Sequence, residues 1–165
     1  MDLTVDAWGH ASWGSRALRA ALGRAGVTTA KREGDHRTPA GSFLMRQLLY
    51  RPDRLTPPGT RLPRRALTPR DGWCDAPDDP RYNQLVELPY PASHEALWRD
   101  DEIYDLIIPL GYNDDPVVPG RGSAIFLHVA RPDWSGTEGC VALARADLLA
   151  VLAEADSGSR VVVRD

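Results

Sequence analysis

The pattern of hydrophobic and polar positions predicts a chain built mainly of short β-strands. Runs dense in apolar and β-branched residues occupy Ile103–Leu110 and Ala124–Val129, and these are the strongest strand signals. Shorter segments with similar patterns are Leu3–Val5, Ser42–Leu49 and Arg160–Val163. Between residues 51 and 91 the chain is rich in proline, aspartate and arginine, which indicates long loops joined by short strands.

One segment carries a clear helical period. Leu148, Leu149 and Leu152 recur at helical spacing within Arg145–Ala155, and Gly158 follows shortly after the last of them. The sequence therefore predicts one helix close to the C-terminus.

Two other segments are less well defined. Ser93–Trp98 is predicted to form a helical turn with Ser93 as its N-cap. Arg16–Val27 has helix-favouring alanine, leucine and arginine, but Gly23 and Gly26 interrupt it, and each glycine costs a helix about 1 kcal/mol. Helix and strand both stay open for this segment from its composition.

Length and composition are those of one globular domain covering residues 1–165. The net charge of -3 argues against a protein that binds nucleic acid through a basic surface. A basic stretch at residues 61–70 contains Pro63 and Pro69 and is interpreted as a solvated loop. No run approaches the roughly 20 apolar residues that span a bilayer, so no membrane span is expected.

The cysteines and histidines limit the possible chemistry. Two cysteines do not make a disulfide framework for a chain of this size. His10, His36 and His94 are far apart and lack the spacing of metal ligands, so no metal site is expected.

The residues that suggest catalysis are His128, Gly139 and Cys140. A thiol needs help to ionise near neutral pH, because its ordinary pKa is about 8.5, and an imidazole is a common partner. The N–H groups of Gly139 and Cys140 are candidates for an oxyanion hole, a feature often worth about 3–4 kcal/mol. From spacing alone, a buried inert cysteine and a core histidine remain open alternatives.

Several separated motifs resemble the L,D-transpeptidase catalytic domain (YkuD-like) family. Cys140 follows His128 by twelve positions and ends the segment Thr137–Cys140, which is similar to the family's Ser/Thr-His-Gly-Cys signature. Gly34–Gly41 matches the family's Gly-Asp-x-x-Thr-Pro-x-Gly turn. Shorter motifs of the family's short single-domain branch recur at residues 73–75, 82–83, 97–99, 104–105 and 111–113. The resemblance extends from about residue 18 to residue 163.

The resemblance implies a mainly β fold, a β-sandwich of mixed sheets with a few short helices, in which Arg16–Val27 is largely strand. It implies a peptidoglycan L,D-transpeptidase in which Cys140 attacks the carbonyl of an L-to-D peptide bond of a stem peptide, and His128 acts as its base or ion-pair partner. An amine of a neighbouring stem, such as that of diaminopimelate, then resolves the thioester into a 3-3 or 1-3 crosslink. No cofactor is implied.

The sequence departs from the family pattern at two positions. Glu138 stands where the family usually has histidine, and Ala142 stands where many members carry arginine. Glu138 is interpreted either as solvent-exposed or as facing a cationic acceptor amine. Arg131 is the candidate replacement for the missing arginine, because its planar fork suits a carboxylate, with an exposed loop arginine as the alternative.

The remaining expectations concern substrate, partners and location. Tyr112, Asn113 and Thr137 are candidate substrate-binding residues beside Arg131 and Glu138. The expected partners are donor and acceptor stem peptides, and the protein is expected to be a monomer. The alternatives are a carboxypeptidase that uses water as acceptor and a non-catalytic module that binds cell-wall peptides. The periplasm or cell envelope is the expected location, with the cytoplasm as alternative because no secretory signal is visible in this sequence.

Overall fold

The computed structural model describes residues 1–165 and is mainly β, as the sequence predicts. Fifteen strands and one helix follow each other along the chain. The strands are β1 (Asp2–Val5), β2 (His10–Trp13), β3 (Arg16–Ala21), β4 (Val27–Thr28), β5 (Thr38–Pro39), β6 (Gly41–Leu44), β7 (Leu48–Tyr50), β8 (Arg64–Ala66), β9 (Asp71–Cys74), β10 (Leu85–Glu87), β11 (His94–Ala96), β12 (Leu106–Pro109), β13 (Phe126–Val129), β14 (Val141–Leu143) and β15 (Arg160–Val163). The helix is α1 (Arg145–Glu154).

Ten of the strands form one mixed sheet in the order β6-β15-β1-β2-β3-β14-β13-β12-β7-β8. The pairs β1–β15, β13–β14 and β7–β8 are parallel, and the other pairs are antiparallel. Strands β9, β10 and β11 form a separate antiparallel sheet, and β4 pairs with β5.

The two faces of β13 and β14 have different surroundings. Leu127 and Val129 of β13 point into the main core, together with Val141 and Leu143 of β14 and the buried face of α1. Because successive side chains of a strand point to opposite faces, Phe126 lies on the other side and belongs to a second, smaller apolar cluster. The central strands therefore serve two cores at once.

The small sheet covers this second face. Trp73 of β9 packs edge-to-face on Phe126 with the ring centroids 5.0 Å apart. Tyr104, which precedes β12, also contacts the ring of Phe126 edge-to-face, at 5.9 Å. The space between the two sheets is filled by apolar side chains on one side and is left as a cavity on the other.

A buried carboxylate connects the start of α1 to the segment before β12. Asp105 accepts a hydrogen bond of 2.8 Å from Arg54 and pairs with Arg145, the first residue of the helix. Asp105 is almost fully buried, and its charge is compensated by two arginines whose side chains are partly exposed.

Most of the strand predictions and the helix prediction are confirmed, with shorter bounds for several of them. Arg160–Val163 and the helix agree closely with the structure, and Arg16–Val27 contains strand β3 and the first residue of β4. Ser42–Leu49 is broken between β6 and β7. No helix of the structure has the length and apolar character needed to cross a membrane.

The prediction of a helical turn at Ser93–Trp98 is wrong. His94–Ala96 form β11, which pairs with β9 in antiparallel register, His94 opposite Cys74. The Ser93 carbonyl accepts the N–H of Asp75 instead of capping a helix. Pairing with a strand distant in sequence overrides the local capping signal, which is the common reason for such errors.

We predict that Leu127→Ala lowers the free energy of unfolding by about 2–5 kcal/mol, because Leu127 is completely buried in the main core. Leu149→Ala is the matched control, since Leu149 is only partly buried against the same core, and it should lose at most about 1 kcal/mol. Urea unfolding of both variants measures the difference. Equal losses would contradict the central position of β13.

Candidate active site

A cavity of about 370 Å³ lies between the ten-stranded sheet and the small sheet. Most of the residues that line it are of polar types, and the lining includes both Cys140 and His128. A volume of this size lies at the lower end of the usual range for small-molecule and peptide-group sites. Arg131, Thr137 and Glu138 also line the cavity, so five of the residues that the sequence singled out meet there.

The parallel pairing of β13 and β14 brings the thiol and the imidazole to one face. His128 stands in register with Ala142, and Leu127 with Val141. Cys140 precedes Ala142 by two residues, so both side chains point to the same face as His128. Two residues twelve positions apart in sequence thereby lie close together on adjacent chain segments.

Cys140 is buried and its sulfur has two backbone contacts. The thiol donates to the Ala124 carbonyl at 3.1 Å and accepts the N–H of Phe126 at 3.3 Å. Burial raises the pKa of Cys140 to about 12, and the nearby charge of Glu95 acts in the same direction. In the protein without substrate Cys140 is therefore a thiol and not a thiolate.

His128 is buried as well, and its tautomer follows from its contacts. Nδ1 lies 2.9 Å from the Val129 carbonyl oxygen, which can only accept, so Nδ1 carries the proton and Nε2 has the free lone pair. Tyr104 packs edge-to-face on the imidazole at 5.3 Å. Burial lowers the pKa of His128 to about 4, so the ring is a neutral base at pH 7.

The candidate catalytic pair of Cys140 and His128 is therefore neutral. No hydrogen bond joins His128 to Cys140; the thiol is directed to Ala124 instead. Of the two roles that the sequence left open for His128, this geometry favours the general base over a preformed thiolate–imidazolium pair, because burial disfavours both charged forms.

The turn before Cys140 is held by threonine hydroxyls. Thr137 Oγ1 donates to the Cys140 carbonyl at 2.7 Å and accepts the N–H of Gly139 at 3.1 Å. Thr38 Oγ1, from the Gly34–Gly41 turn, also donates to the Cys140 carbonyl, at 3.4 Å. Thr137 thus positions the nucleophile, which is a different contribution from the substrate contact expected of it.

This turn also changes the expected oxyanion hole. Because the Gly139 N–H is occupied by Thr137, only the N–H of Cys140 has no acceptor within the protein. Gly139 is required for a different reason. It has φ +140°, and a Cβ at this position would lie 2.8 Å from the Arg37 carbonyl oxygen.

Glu138 lies at the rim of the cavity with its side chain 70% exposed. Its carboxylate contacts Nδ1 of His36, and Arg24 approaches it to 3.5 Å. The Nε2 atom of His36 lies 3.0 Å from the Arg24 guanidinium. An imidazole from the Gly34–Gly41 turn therefore stands beside the position where the family usually has histidine.

Arg131 lines the same cavity as Ala142, which agrees with its interpretation as the replacement for the missing arginine. It approaches Asp101 to 3.6 Å, but Asp101 is already bound by both ends of the Arg99 guanidinium, at 2.9 and 2.7 Å. The Arg131 side chain is 45% exposed. It has freedom to meet a carboxylate of a ligand.

Tyr112 and Asn113 do not line the cavity, so the expectation that they bind substrate is not supported by their location. The Tyr112 hydroxyl donates to the Arg121 carbonyl at 2.5 Å, and its ring packs on Phe43. The side-chain amide of Asn113 forms hydrogen bonds with the backbone of Val118 and with a glycine carbonyl of the same loop. Both residues organise their own loop, because their polar atoms are already satisfied within it.

Asn83 positions the backbone that contacts the thiol. Its Oδ1 accepts from the Trp73 indole and from the N–H of Ala124, both at 3.0 Å, and its Nδ2 donates to the Tyr112 carbonyl at 3.1 Å. Ala124 has φ +53°, an unfavourable value for alanine, and its carbonyl accepts the Cys140 thiol. The Tyr112 loop thus supports the site indirectly.

Glu95, Tyr104 and Asp75 are among the cavity residues for which no role was predicted from the sequence. The Tyr104 hydroxyl donates to Glu95, and burial raises the pKa of both groups. Asp75 and Tyr104 lie in motifs that carried the family resemblance, which was the available signal. Glu95 had none, because it lies in the segment predicted to be helical. No group of three or more His, Cys, Asp or Glu side chains is arranged to hold a metal ion.

The family model described as YkuD, L,D-transpeptidase catalytic domain, matches residues 9–163. The match includes every strand from β2 to β15 together with His128 and Cys140. No curated protein and no solved structure gives a significant match.

The buried neutral imidazole predicts a pH-dependent stability. The folded protein keeps His128 neutral down to about pH 4, whereas the unfolded chain protonates it near pH 6.5. Between these values the unfolded state binds more protons, so the free energy of unfolding falls as the pH drops from 6.5 to 4. The contribution reaches about 3 kcal/mol. Urea unfolding of the wild type and of His128→Gln measures it, because the other titrating groups are common to both. Parallel pH profiles for the two proteins would contradict this assignment.

A side chain at position 139 is predicted to lower the free energy of unfolding by more than its positive φ alone would. Gly139→Ala should lose about 1–3 kcal/mol more unfolding free energy than Gly26→Ala. Gly26 also has a positive φ, of +92°, but a Cβ there would meet nothing within 4 Å. The difference isolates the contact with the Arg37 carbonyl. Equal losses would mean that the turn adjusts without cost.

Proposed function

This chain belongs to the L,D-transpeptidase catalytic domain family, and we propose that it transfers the acyl part of a peptidoglycan stem peptide through a thioester on Cys140. The observation that carries the proposal is that a thiol and a neutral imidazole face the same cavity. The free N–H of Cys140 completes the requirements of acyl transfer, since it can donate to an oxyanion.

In the acylation step, Nε2 of His128 removes the thiol proton as Sγ attacks the carbonyl carbon of an L-to-D peptide bond. The thiol then gives up its hydrogen bond to Ala124. The N–H of Cys140 stabilises the oxyanion, and the imidazolium returns the proton to the departing amine. The peptide C–N bond breaks, and the acyl group stays on sulfur as a thioester.

In the second step an amine of a neighbouring stem attacks the thioester carbonyl. His128, neutral again, accepts the proton that the amine loses. The thiolate of Cys140 leaves and takes this proton back from the imidazolium. The products are a new peptide bond between two stems and the original thiol. The bond is a 3-3 or a 1-3 crosslink, depending on which stem position supplies the donor carbonyl.

The surroundings of the pair support a peptide carrying carboxylates. Arg131 lies on the cavity wall, partly exposed, and its guanidinium suits the bidentate binding of a stem carboxylate. Because the proposed substrate is the cell wall, the proposed place of action is the cell envelope.

The test is to incubate the wild type and Cys140→Ala with purified muropeptide monomers and to follow the products by mass spectrometry. We predict a crosslinked dimer and a thioester adduct of the protein with the wild type only. Cys74→Ala is the matched control, because Cys74 is buried outside the cavity and should not affect the reaction in the folded protein.

The other outcomes are equally informative. Fragmentation of the dimer distinguishes a 3-3 from a 1-3 bond. Trimmed monomers without dimer would replace the proposal by an L,D-carboxypeptidase in which water is the acceptor. Binding of monomers without any thioester would favour a peptide-binding module and contradict the transferase.

A further inference from the structure

The wall of the cavity that faces the catalytic strands belongs to the small sheet, and it carries two carboxyl groups. Glu95 on β11 stands opposite Trp73 on β9. Asp75 follows Trp73 by two residues, so strand alternation directs it to the same face as Trp73 and Glu95. Since Trp73 packs on Phe126 of β13, this is the face turned towards the catalytic pair.

Neither carboxyl group forms an ion pair, although the charge of Arg99 acts on Glu95 from a greater distance. Glu95 accepts a hydrogen bond from the neutral Tyr104 phenol, and Oδ1 of Asp75 is buried without any hydrogen-bond partner. A buried carboxylate oxygen without a partner is unfavourable and calls for an explanation, such as a ligand that satisfies it.

Two of the three lysine and arginine side chains that line the cavity are bound to carboxylates outside its lining, Lys31 to Asp35 at 2.5 Å and Arg99 to Asp101 at 2.7 Å. The third, Arg131, is partly exposed and approaches Asp101 only to 3.6 Å. The wall formed by the small sheet therefore carries acidic groups that no cation of the protein pairs. Such a wall is complementary to a ligand with a positive charge.

We propose that Glu95 and Asp75 form the subsite for an ammonium group of the stem peptide that enters the cavity. The inference rests on the proposed function, and it adds a determinant of substrate choice to it. Stems with a free amine, such as that of diaminopimelate, are selected over stems in which this amine is blocked.

The subsite also bears on how the buried thiol of Cys140 ionises. The charge of Glu95 contributes to the high pKa of Cys140. An ammonium bound to Glu95 cancels that charge, so binding of the correct peptide favours ionisation of the thiol. The ammonium group of the substrate thereby provides the positive charge near the thiol that the neutral imidazole of His128 lacks.

The experiment measures binding, so that it does not depend on turnover. In the Cys140→Ala background, isothermal titration calorimetry compares two probes. One is a disaccharide-tetrapeptide monomer with a free diaminopimelate amine, and the other is the same monomer acetylated on that amine. The variants are Glu95→Gln and Asp75→Asn. The matched controls are Glu87→Gln and Asp78→Asn, because Glu87 and Asp78 are exposed and do not line the cavity.

We expect the parent to bind the free-amine monomer about 10–100-fold more tightly than the acetylated one, as for a hydrogen bond to a charged group. Glu95→Gln and Asp75→Asn should each reduce this preference about tenfold or more, with little effect on the acetylated probe. The control variants should retain the full preference. Thermal melts confirm that all variants are folded.

The proposal is overturned if the parent binds both probes equally or not at all, or if the preference survives in both variants. The proposed function has a separate readout, which is thioester formation on Cys140 of the wild type. Selective binding of the free amine without any thioester would reject the transferase and leave the ammonium subsite supported.

Discussion

The structure depends on the parallel pairing of β13 with β14 in the middle of the large sheet. One face of these strands contributes Leu127 and Val141 to the main core, and the other presents His128 and Cys140 to the cavity. A shift of one residue in this register would exchange the two faces and bury the wrong side chains. The energy of the core therefore enforces the geometry of the site.

Burial decides the chemical state of the pair. A thiol with raised pKa and an imidazole with lowered pKa both follow from desolvation, which is the first cause of each shift. Both groups are therefore neutral near pH 7 in the protein without a ligand. The backbone that contacts the thiol is fixed through Asn83, which links Ala124 to Trp73 of the small sheet. The small sheet thus forms part of the cavity wall and, through Asn83, also holds the backbone that contacts Cys140.

The departures from the family pattern are local exchanges within an otherwise matching chain. Glu138 replaces an imidazole at the rim, and His36 brings one back from a different loop, with Arg24 beside it. Arg131 lies on the wall that Ala142 also lines. The sequence suggested Arg131 for its altered position, whereas the approach of His36 to Glu138 depends on the packing of two loops and had no local signal.

The sequence by itself determined the mainly β character, the strand Arg160–Val163 and the helix, because period is a local property of the chain, and its motifs singled out His128 and Cys140 as candidates. The tertiary structure decided the rest. Within Ser93–Trp98, residues His94–Ala96 form strand β11 by pairing with the distant strand β9, and this places Glu95 in the cavity. The loop of Tyr112 and Asn113 satisfied its own polar groups and stayed outside. The neutral state of the catalytic pair also required the fold, since desolvation depends on everything packed around a side chain and not on its neighbours in sequence.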